Sequence, residues 1–341
     1  MKRFLVIILI LGLTANAIIA QVDAHFSLFE YTQNIVNPGA AGGSDGMCFS
    51  TSHRQQWVGF QVKNVNSGST ETTDQSGRPI STTFSFDMPL NAIHSGIGLA
   101  VLQDKLGFQS DIQMKLNYAY RFEIKDFANI GIGLGLGIVN RTLNPSWITF
   151  NEFTNMGQTY DDPLLPRMGT ITVFDLNIGA TMYGPNYWAG IACTHLTSPK
   201  MNYSDVTPSR LAQQLYFMGG YTFNLGNPSY DLATSAIIQT DRISAVDFQV
   251  NAKFMYQKKF WAGISGRIDA IVPMVGAHLA MGGVGNLSVG YCYDIPLSAK
   301  LGYKSGIKGS HELMARFCFN ITKEKGKTGV TTVRRLGNNR Y

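Results

Sequence analysis

Gln109-Ser-Asp-Ile-Gln-Met-Lys-Leu-Asn-Tyr-Ala-Tyr-Arg-Phe122 places Ile112, Met114, Leu116, Tyr118, Tyr120 and Phe122 at one parity and Asp111, Gln113, Lys115, Asn117 and Arg121 at the other. Successive side chains of an extended chain point to opposite faces, so the stretch predicts a β-strand with one apolar face and one face of charges and amides. Two architectures use such a strand. In a soluble sandwich the apolar side packs into a core, whereas in an outer-membrane barrel it meets lipid and the polar side lines the lumen.

Residues 128–141 repeat the pattern, with Ile130, Ile132, Leu134, Leu136 and Ile138 alternating with Gly131, Gly133, Gly135 and Gly137. A dinucleotide-binding loop is a G-x-G-x-x-G turn that enters a helix; here the glycines keep strict period two and no helical pattern follows. Glycines on the inward face of a strand are expected to let another segment pack close inside the barrel.

Reading outward from these stretches gives fourteen strands, at 48–60, 79–88, 94–106, 109–122, 128–141, 170–183, 187–197, 212–224, 228–240, 245–256, 260–269, 273–281, 286–296 and 310–321. The number is even, as in bacterial single-chain barrels. The long connections, 61–78, 142–169, 198–211 and 297–309, follow strands 1, 5, 7 and 13. All are odd, so in an up-and-down barrel they emerge on one side, with short turns on the other. That asymmetry is the outer-membrane pattern, and it selects a transmembrane antiparallel barrel with both chain ends in the periplasm. Trp57, Tyr187, Trp188, Phe260, Trp261, Tyr291, Tyr293, Phe317 and Phe319 lie near strand ends, where interfacial girdles are expected.

Residues 1–20 have the layout of a secretory signal peptide, a basic start followed by an apolar run. Residues 21–46, broken by Asn37-Pro38-Gly39, are expected to form a periplasmic or lumenal leader before a barrel at 47–321. Of the formal net charge of +6, Lys2 and Arg3 supply two and the residues after 321 supply five, which leaves 21–321 at about −1. A nucleic-acid partner would need a basic face on the fold itself. The basic residues Lys323, Lys325, Lys327, Arg334, Arg335 and Arg340 sit in a tail, 322–341, expected in the periplasm as a partner-docking element.

Cys48, Cys193, Cys292 and Cys318 lie far apart and are expected to be free thiols. A seam disulfide between Cys48 and Cys318 is the alternative, set against by the poor fit of directly cross-strand disulfides to sheet geometry. The six histidines form no metal-ligand spacing, and no nucleophile motif is present. No cofactor, metal or catalytic residue is expected. Arg54, Asp111, Lys115, Arg121, Asp247, Lys253, Glu312 and Arg316 all fall on the polar parity of their strands and are expected to form a mutually paired lumenal network.

Several short motifs occur in a defined order: Asn37-Pro38-Gly-Ala-Ala-Gly42, Arg54-x-Gln56-Trp57-Val-Gly59-Phe60, Asp87-x-Pro89, Asp104-Lys105-x-Gly107, Tyr293-Asp294 and His311-Glu312. In order and spacing the chain resembles the PorP/SprF family of outer-membrane barrels. The resemblance implies a component of the type IX secretion and gliding machinery of the Gram-negative outer membrane, non-catalytic, which assists export and cell-surface attachment of partner proteins such as adhesins. It also implies contacts with outer-membrane lipid, a secreted adhesin or other type IX substrate, and periplasmic or lipoprotein components of the machinery. A porin-like passive solute channel is the alternative; an outer-membrane enzyme lacks its nucleophile motif.

The parity of the long loops makes a prediction. Epitope tags at Asn155 and Asp205 will be accessible on intact cells and a tag at Asn227 will not; the reverse labelling pattern would invert the topology.

Overall fold

A computed structural model describes residues 23–44, 46–59, 62–63, 72–73, 77–125, 127–145, 168–203, 210–241, 246–297 and 308–319. Its fourteen long strands are β1 (Met47–Val58), β2 (Ile80–Leu90), β3 (Ser95–Leu106), β4 (Gln109–Ile124), β5 (Ala128–Leu143), β6 (Gly169–Tyr183), β7 (Tyr187–Thr194), β8 (Gln214–Asn224), β9 (Tyr230–Thr240), β10 (Val246–Tyr256), β11 (Phe260–Arg267), β12 (Ala270–Ala280), β13 (Gly285–Pro296) and β14 (Gly309–Phe319). Each pairs antiparallel with its neighbours in sequence, and β14 returns to β1 to close the barrel. A two-residue ladder, Val62–Lys63 with Thr72–Thr73, lies in the connection after β1.

Side-chain exposure decides between the two architectures. Leu116 and Ile132 are 67% and 57% exposed, while Lys115 and Asn117 between them on the barrel wall are 5% and 4% exposed. The apolar face therefore points outward and the charged face inward, the inverse of a soluble sandwich, and the outward band is what lipid would cover. Among the described residues no helix is long and apolar enough to cross a membrane. Crossing by strands needs none, because a closed ring pairs every backbone group between neighbours.

The strands end where local chemistry stops them. Gly107, at φ +60°, makes the tight turn between β3 and β4. The reading of strand 7 as far as residue 197 is too long: after Thr194 the chain turns inward at His195 (φ +54°). Pro273, expected to start a strand, instead sits inside β12. It is tolerated because the β12–β13 ladder has no partners at Val272 and Pro273, where proline offers no N–H. Two expected girdle residues also differ: Trp261 is buried inward and Trp188 packs against the lumenal contents, while Phe260 stays outward at 55% exposed.

Residues 23–44 occupy the lumen. They form three single turns, Phe29–Tyr31, Gln33–Val36 and Pro38–Ala40, the last begun by proline at its first position and capped by Asn37, whose side chain accepts from Gly39 N–H at 2.9 Å. The segment's apolar residues fill the space between the inward faces. Leu28 and Tyr31 pack with Met255, Trp261, Met274 and Met314; Phe29 with Tyr216, Met218 and Ile237; Phe26 and Ile35 with Ala100 and Leu102. Fully burying each such side chain is worth about 1.5–3 kcal/mol.

The plug runs along the barrel. Asp23 meets Tyr216 and Thr194 near the long-connection end, and Gly42 meets Gly96 and Pro89 near the short-turn end, where the chain continues into β1. Of the two expected placements of the leader, periplasmic or lumenal, residues 23–44 take the lumenal one, and the chain ends lie outside the described residues. The cysteine expectation is corrected. Cys48 and Cys318 are directly opposed across the β1–β14 seam and form a disulfide, whereas Cys193 and Cys292 are not disulfide-bonded.

A solvated lumen would accept Asn117→Arg easily, but here the Asn117 amide donates to the Asn34 backbone and side-chain oxygens at 2.7 and 2.9 Å. Leu116→Arg, if near the bilayer midplane, will cost about 2–4 kcal/mol through its lipid face. Asn117→Arg will cost about 1–3 kcal/mol through the lost plug contact. Urea unfolding in detergent micelles or vesicles checks both, and a neutral Asn117→Arg would mean that the plug does not hold this contact.

Candidate functional site: the filled lumen

The inward charges pair with one another, as Arg141 does with Asp111 at 2.6 Å, and they also bind the plug. Glu312, fully buried on β14, accepts from the main-chain N–H groups of Ser27 at 2.8 Å and Leu28 at 3.0 Å. Beside it Arg54 Nη1 donates to the His25 carbonyl at 2.6 Å, and Arg54 and Arg267 each reach Asp294 Oδ2 at 2.6 Å. Gln249 and Asn251 donate to the Ser27 carbonyl at 2.7 and 3.0 Å. A turn with few backbone partners of its own is thus satisfied by wall side chains, as burial demands.

A second anchor holds the upper end of the plug. The buried His195 ring has Asp175 of β6 at 3.0 Å on Nδ1 and Asp23 of the plug at 3.2 Å on Nε2, and Tyr216 OH donates to Asp23 at 2.9 Å. Burial alone would lower the imidazole pKa, but the charge of Asp23 and the hydrogen bonds to both carboxylates outweigh it and raise it to about 9. Burial likewise pushes Asp23 up, and His195 more than reverses it, holding that carboxyl below the usual range. The cluster is a cation between two carboxylates, one on the wall and one on the plug.

Lower down, Glu30 takes Lys253 Nζ at 3.1 Å, Ser235 Oγ at 2.5 Å and Asn251 Nδ2 at 3.1 Å, all on Oε1. Burial raises its pKa, yet Lys253 and these hydrogen bonds hold it below its ordinary value. Arg121 donates to the carbonyls of Gly39 and Ala41 at 3.3 and 3.1 Å, and Asn37 donates to the carbonyls of Ala180 and Ile191 at 3.0 and 3.3 Å. The expected role of the glycine row is observed: a Cβ at Gly133 would overlap the backbone of Pro38 and Gly39, and one at Gly131 would stand 2.5 Å from Gly39 O.

The motif residues thus fall into groups. Asn37, Pro38 and Gly42 belong to the plug, and Gly42, at φ +63°, lies against Gly96 and Pro89. Arg54, Asp294 and Glu312 clasp its first turn, and Gln56, with its amide oxygen facing Arg54, accepts from Nη1 at 2.6 Å. Asp87 lies inward near the short-turn end, 3.8 Å from Arg316. Asp104 accepts from Ser81 at 2.6 Å, whereas Lys105, Gly107, Trp57 and Gly59 sit at the long-connection rim. His311 faces outward and bonds Tyr291 OH at 2.8 Å. Phe60 and the tail residues Lys323, Lys325, Lys327, Arg334, Arg335 and Arg340 lie outside the described residues. Sequence reasoning missed Asp23, Glu30, His195 and Arg267. Arg267 was legible, since it shares the inward parity of its strand; the plug residues and His195 have no period to reveal them.

Gly133→Val will drive Pro38 off the wall and loosen the plug without touching any charged anchor. Limited proteolysis of the assembled barrel will then cut within residues 23–44, where the native protein resists; a resistant variant would show that the glycine row does not seat the plug.

Among solved structures the chain is similar to the Pseudomonas putida toluene transporter TodX, at 9% identity over 86% of this chain and 95% of that one, with TM-score 0.51. It is also similar to the TodX deltaS2S3 mutant monoaromatic hydrocarbon channel, at 10% identity over 84% and 93%, with TM-score 0.50. Identity this low shows the fold alone. The likeness is one of barrel architecture, and it is the outward apolar band that suits the wall to a membrane. Comparison with curated proteins finds no match. The family profile of the type IX secretion system membrane protein PorP/SprF matches residues 18–317. Most of the chain is covered, and the protein belongs to the PorP/SprF family of type IX secretion system membrane proteins.

Proposed function

We propose that this barrel assists the export and cell-surface attachment of partner proteins such as adhesins by the type IX secretion and gliding machinery, without catalysis. Family membership supports the machinery. The observation that carries the finer reading is the filled lumen: Glu312, Arg54 and Arg121 of the wall bond to the plug backbone, and Asn37 of the plug donates to a wall carbonyl. A wall whose charges are consumed in this way suits a barrel that works through its rims and partners better than one that conducts solutes. Within this reading residues 1–20 are the signal peptide, and the motif residues of the lumen hold the plug. The basic tail, 322–341, docks periplasmic or lipoprotein components at the short-turn end. Val330-Thr-Thr-Val333 followed by Arg334-Arg335 suits addition to the sheet edge of an acidic partner.

Electrostatic docking weakens with salt, because the screening length falls from about 8 Å at physiological ionic strength to about 3 Å at 1 M. Deleting residues 324–341 will leave the barrel assembled and heat-modifiable on gels, lower export of its partner protein and abolish salt-sensitive co-purification with periplasmic components. Unchanged export by an assembled deletion would overturn the docking role. In planar bilayers the native barrel will show no stable large conductance; a porin-like conductance would favour the channel instead.

A further inference from the structure

Neighbouring strands of the wall are joined by the chain itself, except at the seam, where β14 meets β1. There the Cys48–Cys318 bond supplies the missing covalent link, between residues 270 apart in sequence. Cys48 is the second residue of β1 and Cys318 the last but one of β14, so the bond fastens the short-turn end of the seam. Both cysteines share the inward parity of their strands and face the lumen, not lipid. The other end has no such fastening, for the β1–β14 ladder shifts register between Gln55 and Val58.

The two sulfurs are not equivalent. Cys48 is 1% exposed, and its Sγ lies 3.8 Å from the Gly46 carbonyl, an acceptor for the proton of a thiol. Cys318 is half-buried, and Arg316 Nε donates to its Sγ at 3.4 Å. A neighbouring cation favours the thiolate, which is the attacking form in thiol–disulfide exchange. Arg316 also lines a hollow of about 420 Å³, space open to solvent included, together with Ser44, Ser50, Ser85 and Asp87. An exchange partner therefore meets Cys318 first.

We infer that Cys318 is the entry point for a disulfide-bearing exchange partner in the periplasm and Cys48 the resolving thiol, so that the seam is sealed once β14 has paired with β1. The Cys318 thiolate attacks one sulfur of the partner's disulfide; that bond breaks, a bond from Cys318 to the partner forms, and the partner's other sulfur leaves as a thiolate. Cys48 then gives up its proton, its sulfur attacks Cys318 Sγ, and the partner's second sulfur leaves. The two barrel thiols lose two protons and two electrons, and the partner takes them up as a dithiol. The second step needs the sulfurs face to face. A slip of one residue would turn one of them outward, so only the paired register is sealed.

Oxidised glutathione is the probe, applied in detergent to the full-length barrel assembled under reductant and then freed of it, with Cys193→Ala and Cys292→Ala throughout. Mass measured after alkylation follows the thiols, and heat-modifiability on gels verifies that each variant is assembled. With Cys48 and Cys318 both present the seam bond will re-form. Cys48→Ser will instead take up glutathione at Cys318, about tenfold or more faster than Cys318→Ser takes it up at Cys48, and adding Arg316→Gln to Cys48→Ser will slow that uptake. The sealed barrel will keep its compact mobility to a higher temperature than the reduced one, a difference that Cys48→Ser/Cys318→Ser abolishes. The inference is overturned if an assembled barrel does not re-form the bond, if Cys48 takes up glutathione as fast as Cys318, if Arg316→Gln leaves the rate unchanged, or if the gel transition ignores the bond. The readouts are taken on the purified protein, so they stand or fall apart from the export role.

Discussion

Glu312 is fully buried and accepts two main-chain N–H groups from the plug, and the arrangement of the upper lumen depends on that carboxylate. A lone buried carboxylate is costly, so it is met by donors and flanked by Arg54, at 3.9 Å. Arg54 in turn carries the His25 carbonyl and Asp294, and Asp294 brings in Arg267. Removing one member leaves others buried without partners, so the wall and the plug specify each other. Side chains aimed at backbone groups also fix the height and rotation of the plug, which apolar packing alone would leave free to slide.

Much of the fold was legible because a barrel wall has a period of two. Ile112 to Phe122 and Ile130 to Ile138 announce which face meets lipid, and glycine in place of a side chain on the opposite parity of β5 announces that something lies close to it. What that something was could not be read. Residues 23–44 fold into single turns stabilised by the wall, and such turns have neither a helical nor a strand repeat. Their apolar residues, Phe26, Leu28, Phe29, Tyr31 and Ile35, become meaningful only against inward residues contributed by distant strands. The same reason hid Trp188 and Trp261. Aromatic residues near strand ends read as girdles, but their parity is inward and the plug gives them an apolar surface to meet.

The motif residues separate along the barrel axis. Those in and around the plug have a structural account in hydrogen bonds and close packing. Trp57, Gly59, Lys105 and Gly107 gather at the long-connection rim, and His311 points away from the lumen. A pattern read as one signature therefore covers two physical tasks, seating the plug and shaping the outer edge.

The path of the plug bears on assembly. Residues 23–44 lie within a ring that closes only when β14 meets β1, the strand into which the plug itself leads. Turns bonded to the wall at both ends of the lumen couple the seating of this segment to the closing of the ring. Closure is then a step of templating as well as of pairing: the plug offers the incoming β14 the backbone amides of Ser27 and Leu28, which only Glu312 at its correct height can take up. A strand arriving one residue out of register would turn that carboxylate toward lipid, so the segment inside the barrel also proofreads the seam that seals it.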